Sequence, residues 1–333
     1  MARNKKKAEK DKVVIPEEIR NDNPKNKKKR KVPFKQSKFY ANRYIHLMVF
    51  IVVVFFLVFR YWPITWNAIA FKDFKVLKGF WKSDWVGLEN FRRLFNNMSY
   101  FGRLVRNTLA MNGLNLLLGF PAPIIFALLL NEIWNDTFKR SVQTVSYLPH
   151  FISTVVVVGL TQSLLSPSLG LINNIIAKLG GERVNFLAEP SYFWILMIVV
   201  GVWQSVGWSA IIYLSALTSI DPELYEAAQI DGANRWQQTI YITLPGIKNV
   251  IMIMLILQIG SLMAVNTEKI YLFQNDLNLT TSEMFGTYTY KLGIVNGDYS
   301  RAATAGLFSS ILSLILVSIA NFVSNRYTDV SIV

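Results

Sequence analysis

The chain has 333 residues, 52% of them hydrophobic and only 17% charged, with a formal charge of +14 and no cysteine. A soluble domain carries nearer a quarter of charged residues, so this composition speaks against an ordinary soluble enzyme. The missing cysteine removes disulfides, thiolate metal sites and cysteine nucleophiles. The two histidines, His46 and His150, lack ligand-spaced neighbours, so no metal site is expected.

In chain order, the basic charge comes first. Residues 1–43 hold 16 Lys and Arg against 5 Asp and Glu, a net of +11, and the remaining residues net only +3. Runs such as Lys5–Lys7 and Lys27–Lys31 with few apolar residues predict a disordered tail. Just before an apolar run, such a tail reads as an orientation signal and a contact for anionic lipid, in preference to a nucleic-acid site. It is also unlike the short basic start of a cleaved signal peptide.

Six runs then follow without a single Asp, Glu, Lys or Arg: Tyr44–Phe59, Asn107–Asn131, Ser141–Ala177, Pro190–Ile220, Asn249–Thr267 and Ala302–Asn325. A span needs about 20 mainly apolar residues, so the expectation is an all-α protein with six transmembrane helices over residues 44–333. The basic tail predicts a cytoplasmic N-terminus, and six crossings return the C-terminus to the same side. The loops Glu132–Arg140 and Thr218–Lys248 then lie inside, and Thr65–Arg103, Ser166–Glu189 and Glu268–Arg301 outside. The first outside loop strains this topology, because it carries Lys72, Lys75, Lys78, Lys82, Arg92 and Arg93. It also carries Phe71, Phe74, Phe80, Trp81, Trp85, Phe91 and Phe95, and mixed aromatic and basic residues suit an interfacial segment lying on the bilayer.

Polar residues inside the apolar runs are costly in lipid and therefore informative. Asn112, Asn115 and Gly119 share a face of the second run. Tyr147, His150 and Ser153 open the third; Trp203, Gln204, Ser205 and Trp208 mark the fourth; Gln258, Ser261 and Asn266 mark the fifth. The substrate path is expected along Asn112, Asn115, Tyr147, Trp203, Gln204, Trp208, Gln258 and Asn266. Each also has a plain reading as a residue that hydrogen-bonds helices together. As a set without acids or bases, they suit a neutral or weakly charged cargo, with indole faces against sugar rings. No GxxxxGK[ST] loop, GxSxG, HExxH or DFG-type set occurs, and no paired carboxylates lie within the runs, so neither nucleotide binding nor catalysis is expected here.

The inside loop at 218–248 contains DPELYEAAQIDGANRWQQTIYITLP over residues 221–245. Asp221 suits an N-cap, Pro222 the first helical position, and Glu223 the first turn, where the dipole favours an anion. Leu224, Ala227 and Ala228 share one face, and Gly232 can end the helix in a left-handed conformation. A helix of about 10 residues is expected, then a second from Asn234 to Thr243, ending before Pro245.

This segment resembles the EAA loop of the membrane-spanning subunits of ATP-binding-cassette importers: Glu226, Ala227, Ala228 and Gly232 match its first half, and Ile242, Leu244 and Pro245 its close. WVGLENFRRLF, SYLPHFIS, GLINNIIAKLG, VNFLAEPSYF, WQSVGWSAIIYLSAL and GIVNGDYSRAATAGLF extend the likeness over roughly residues 44–333. They resemble carbohydrate-importer permeases of the maltose type, in the subgroup of Gram-positive bacteria that imports oligosaccharides and polysaccharide fragments. The resemblance implies a bacterial multi-pass plasma-membrane protein, two permeases forming a heterodimeric pore, two ATPase subunits carrying ATP and Mg, and an extracytoplasmic sugar-binding protein. It also implies that Glu223, Leu224, Tyr225, Glu226, Ala227, Ala228, Asp231, Gly232 and Ala233 form the ATPase-coupling helix. Lys248 stands where many members have a second proline, which predicts a slightly straighter start to the fifth helix. The alternatives are the same machine carrying a peptide or another solute, a membrane enzyme acting on lipid-linked sugar, and a membrane scaffold.

Overall fold

A computed structural model describes residues 42–261 and 266–327. The basic tail, except for its last two residues, and the end of the chain lie outside the described residues. The chain divides into two compact units, residues 1–65 and 66–333. In the first, helix α1 (Arg43–Phe56) runs into a π turn (Leu57–Tyr61) and a last helical turn (Trp62–Thr65), with no buried side chain.

Four helical runs are long and apolar enough to cross a membrane: Arg43–Phe71, Met98–Asn131, Pro190–Leu217 and Tyr299–Ile319. Two further candidates are bent pairs, Asp136–Phe151 with Thr154–Leu165 at 101° and Arg235–Gly246 with Lys248–Gly260 at 62°, giving six if each pair is one span. The sequence predicts one crossing at each of the two places, and the bends have local causes. In the third, Pro149 has no N–H to continue the helix. The backbone tightens to a 3-10 turn over Leu148–Phe151 and turns extended at Ile152 and Ser153 before helix restarts at Thr154. In the fifth, the helix continues through Pro245 to Gly246, with a π turn over Thr239–Thr243 ahead of the proline, and breaks at Ile247.

The second unit is built around the long helix of the fourth run. Helix α2 (Glu89–Asn96) leads into α3 (Met98–Leu114) and α4 (Pro121–Asn131), joined by a π turn at Asn115–Gly119. Helices α5 (Asp136–Tyr147), α6 (Thr154–Leu165) and α7 (Leu171–Lys178) follow, then the central α8 (Phe193–Leu217). Helix α9 (Pro222–Ile230) and the short α10 (Arg235–Gln238) form the connecting loop. They are followed by α11 (Lys248–Gly260), α12 (Thr267–Phe273), α13 (Phe285–Tyr290) and the last helix, α14 (Tyr299–Tyr327). α8 joins two apolar clusters: Phe193, Met197 and Ile198 pack with Met111, Val158, Ile270 and Phe273, while Ala210, Tyr213 and Leu217 pack with Ile124, Ala127 and Ile247. A third cluster sets Leu94, Phe101 and Leu104 against Phe285 and Ala305.

The aromatic and basic first loop is folded, not simply laid out. Lys72–Asp73 pairs with Asp84–Trp85 as a two-residue antiparallel ladder. Buried Asn90 donates from Nδ2 to the carbonyls of Ala70 and Lys72, at 2.9 and 3.0 Å. Phe71 stacks on Trp85 and packs against Phe91. Several of the cations that strain the positive-inside pattern are engaged locally. Lys72 Nζ donates to the Phe80 carbonyl at 2.8 Å, Lys78 pairs with Asp84 at 2.8 Å and Lys75 with Asp73 at 3.4 Å. Asp84 beside Lys78 lies below the ordinary carboxylate range because the ammonium hydrogen-bonds its charged form.

Candidate functional site: a polar cavity and an exposed connecting helix

The quoted motifs meet in space. Gly207, in WQSVGW, approaches the Ser146 carbonyl of SYLPHFIS so closely that a Cβ there would lie 2.2 Å from it. Gln204 Nε2 donates to the Ile152 carbonyl at 3.1 Å, and Trp208 stacks face to face on His150, 4.7 Å between ring centres. Three neighbouring positions on α8 thus hold the broken third span in its bent shape. Asn173 of GLINNIIAKLG braces the turn after that span in a similar way. It is fully buried, donates to the carbonyls of Leu165, Ser166 and Val184, and accepts from the Val184 N–H.

Beside the bend lies a cavity of about 480 Å³, walled by α3, the π turn, the start of α4, His150 and Thr154 of the bend, α8, α11 and α12. Small-molecule sites commonly occupy about 300–1,000 Å³. Of the residues expected on the substrate path, Asn112, Asn115, Gln204, Gln258 and Asn266 line it. Tyr147, Trp203 and Trp208 do not; Trp208 stands one layer back, behind the wall residue His150. Gly119, Ser205 and Ser261 are also in the wall. Two of the lining amides have structural duties. Asn112 Nδ2 donates to the Thr108 carbonyl at 2.8 Å, and Asn266 Oδ1 caps α12 by accepting from the Lys269 N–H at 3.1 Å. The π turn at Asn115–Gly119 lies in the wall, and such turns recur at functional sites because the widened ladder redirects side chains.

The expectation of a wall without acids or bases is corrected by Lys269. It lies in the wall, its residue is 8% exposed, and its Nζ donates to Gln204 Oε1 at 2.6 Å. Burial pulls the ammonium below its ordinary value. Sequence pattern misses it because it falls two residues beyond the charge-free run ending at Thr267. The available signal is a lysine three residues after an Asx-type cap, directly beyond a span.

At another place on the molecule, the 221–245 segment folds as its residue chemistry predicts. Asp221 Oδ1 accepts from the Glu223 N–H at 3.0 Å and Pro222 occupies the first turn. Gly232 has φ +80°. Its N–H reaches the Gln229 carbonyl at 3.1 Å, and the Ala233 N–H reaches the Ala228 carbonyl at 2.9 Å, the paired bonds of a Schellman stop. Asn234 and Gln237 then form a reciprocal capping box for α10. No residue of α9 is buried. Leu224, Ala227, Glu226 and Asp231 are exposed, Ala228 and Ala233 partly so, and Ile230, Trp236 and Tyr241 also face outward. Among the described residues Glu226 makes no ion pair. Tyr225 alone turns inward, its hydroxyl 3.0 Å from Thr243 Oγ1. Arg235 pairs with Glu132 at 2.8 Å and lies over the Trp134 ring. The two loops assigned to one side of the membrane by charge are therefore in contact.

Four to six helical runs apolar enough to cross a membrane, a polar cavity within the second unit and an exposed connecting helix define a multi-pass membrane transport protein. Residues 119–329 match the model of the binding-protein-dependent transport system inner membrane component, and the chain belongs to that family. It is 44% identical over 292 residues to the polygalacturonan/rhamnogalacturonan transport system permease protein YteP of Bacillus subtilis (strain 168), covering 88% of this chain and 91% of that one. It is 41% identical over 286 residues to protein LplB of the same organism, covering 86% and 90%. Among solved structures, it is similar to a chain of a bacterial alginate ABC transporter in complex with an alginate pentasaccharide-bound periplasmic protein, at 37% identity and TM-score 0.81, covering 88% of this chain and 98% of that chain.

Proposed function

We propose that the protein is a permease subunit of a binding-protein-dependent ABC importer that moves an oligosaccharide or polysaccharide fragment into the cell. One observation carries the energy-coupling part of this reading: α9 is capped at both ends and offers its apolar side chains outward. An exposed apolar surface on a rigid element is a docking surface. A helix N-terminus, two adjacent alanines and the unpaired Glu226 suit the groove of an ATPase subunit. ATP and Mg bind on two such partner subunits, because this chain carries no phosphate loop. A second, non-identical permease completes the pore, and an extracytoplasmic sugar-binding protein delivers the cargo; the periplasmic protein of the similar alginate transporter supports the latter.

In this account both termini and α9 are cytoplasmic. Closure of the ATPase pair on ATP drives α9 and α10 together. Because Arg235 and Glu132 tie α10 to the loop before α5, both inside loops move as one body. The bends at residues 152–153 and 247 are the places where that movement changes the wall of the cavity. The lining amides and hydroxyls exchange hydrogen bonds with a polyhydroxylated cargo. The direct test is uptake of labelled oligosaccharide into vesicles holding the full importer, with ATP inside and the binding protein outside. The account expects accumulation that needs both; accumulation indifferent to ATP, or none with any oligosaccharide, would overturn it.

A further inference from the structure

We infer that Lys269 is a recognition site for an anionic group on the cargo, so that the importer selects an acidic oligosaccharide. The inference rests on the carbohydrate-importer reading and narrows it to a substrate class.

An ammonium removed from water is strongly unfavourable unless paired. Lys269 is more than nine-tenths buried, yet among the described residues it makes no ion pair. Its one side-chain partner is the neutral Gln204 oxygen at 2.6 Å. An ammonium has three donors, so two remain for whatever enters the cavity. No lining residue is an aspartate or glutamate. Glu283 is paired with Lys291 at 3.3 Å, and neither lies in the cavity wall.

The lysine is also aimed, not loose. Asn266 caps its helix through the Lys269 N–H, and Gln204 holds the ammonium. Gln204 is fixed in turn by its Nε2 bond to the Ile152 carbonyl. That bond requires the amide nitrogen on the Ile152 side and the oxygen on the lysine side. The chain of contacts runs from the bend of the third span, through α8, to the cation in the wall. A negative group beside Lys269 therefore bears on the element that bends. Around the cation the wall offers Asn112, Asn115, Ser205 and Gln258, donors and acceptors suited to hydroxyl groups. One cation among amides and hydroxyls describes a sugar carrying a carboxylate or another anionic substituent.

The experiment uses the full importer with its binding protein in vesicles, and compares wild type, Lys269→Met and Lys269→Arg. Methionine keeps the apolar stem without the charge. Uptake is measured for three sets of matched length: oligouronides, their carboxyl-reduced neutral counterparts, and sulfated oligosaccharides. The inference expects wild type to carry an anionic set, with Lys269→Met slowing that set about tenfold or more. It expects the neutral set to lose several-fold less than the anionic set in Lys269→Met, and Lys269→Arg to retain most of the anionic uptake. Preference between uronide and sulfated sets names the anion. Wild-type uptake of the neutral set alone would overturn the inference, as would equal losses for neutral and anionic sets in Lys269→Met; equal losses mean that the lysine serves structure or the partner permease. Wild type that carries none of the three contradicts the carbohydrate reading itself, a result distinguishable from failure of the anionic inference.

Discussion

The cavity wall and the connecting helix α9 are built on opposite plans. Segments from residue 111 to residue 270 supply the wall, and several of its side chains are committed: Gln204 to Ile152 and Lys269, Asn112 to Thr108, Asn266 to its own helix. α9 comes from nine consecutive residues, is held by caps at its two ends, and leaves nearly all its side chains uncommitted. The difference fits the two proposed roles, a ligand that must be released in one region and a partner that stays attached in the other. A wall of braced amides holds its geometry while exchanging weak hydrogen bonds. A helix with exposed Leu224, Ile230 and, just beyond it, Trp236 must be covered by something of lasting affinity.

The comparison breaks most sharply at Gly232. Its φ of +80° is closed to proline, and the Gly232→Pro variant also loses the N–H to Gln229. Gly232→Pro is expected to reduce uptake to background while membrane levels stay normal, and Glu226→Ala to do so without disturbing the helix. Uptake at the wild-type rate in both, measured beside immunoblots of the membrane fraction, would remove α9 as the transmission element.

Next comes Gly207, where a side chain would collide with the Ser146 backbone. Gly207→Ala is expected to cost about 1–3 kcal/mol, as overpacking does, and to lower the Tm of the purified importer by several degrees. An unchanged Tm would mean that α8 and α5 are not held at this crossing.

Within the wall, Gln258 and Trp208 separate a lining residue from a supporting one. Gln258→Ala is expected to raise the half-saturating cargo concentration by a few-fold to about tenfold, the worth of one neutral hydrogen bond. Trp208→Ala acts through His150 and Phe151, so a smaller change is expected. Uptake kinetics that reverse this order would show that the indole, not the amide, meets the cargo.

The smallest effect is expected at Tyr225. Tyr225→Phe removes one half-buried contact with Thr243, worth about 0.5–1.5 kcal/mol. ATPase activity of the importer should keep its maximum rate with slightly weaker stimulation by cargo. A complete loss would make Tyr225 part of the docking surface, against its inward orientation.

How far each region was legible in the sequence follows from the same contrast. α9 was readable because its determinants are local: Asp221, Pro222 and Gly232 act on backbone within a few residues of themselves. The number of apolar runs was readable from the spacing of charge. The bends were not, although Pro149 and Pro245 stood in view, because a proline alone does not say whether a helix kinks, widens into a π turn or stops. Asn112, Asn115, Gln204, Gln258 and Asn266 were found as polar residues in apolar surroundings. Tyr147, Trp203 and Trp208 lie outside the wall of this cavity, because a helix face is set by neighbours the sequence does not show. Lys269 was missed because charge had been used to mark where a span ends, and the cavity extends past that mark. The resemblance-bearing motifs turned out to be contacts with one another, as Gln204, Gly207 and Trp208 against residues 146–152 illustrate.

The central claim is that α9 is the surface by which an ATPase drives this permease. The chain has no cysteine, so single cysteines can be placed on it without background thiols. Cysteines at Leu224, Ala227, Ile230 and, as the inward control, Tyr225 would be oxidised in the assembled importer against a cysteine scanned along the ATPase groove. Efficient cross-links at the three exposed positions and little at Tyr225, with yields that change on adding ATP, are the predicted result. No cross-link at the exposed positions, or yields indifferent to their orientation, would contradict the account.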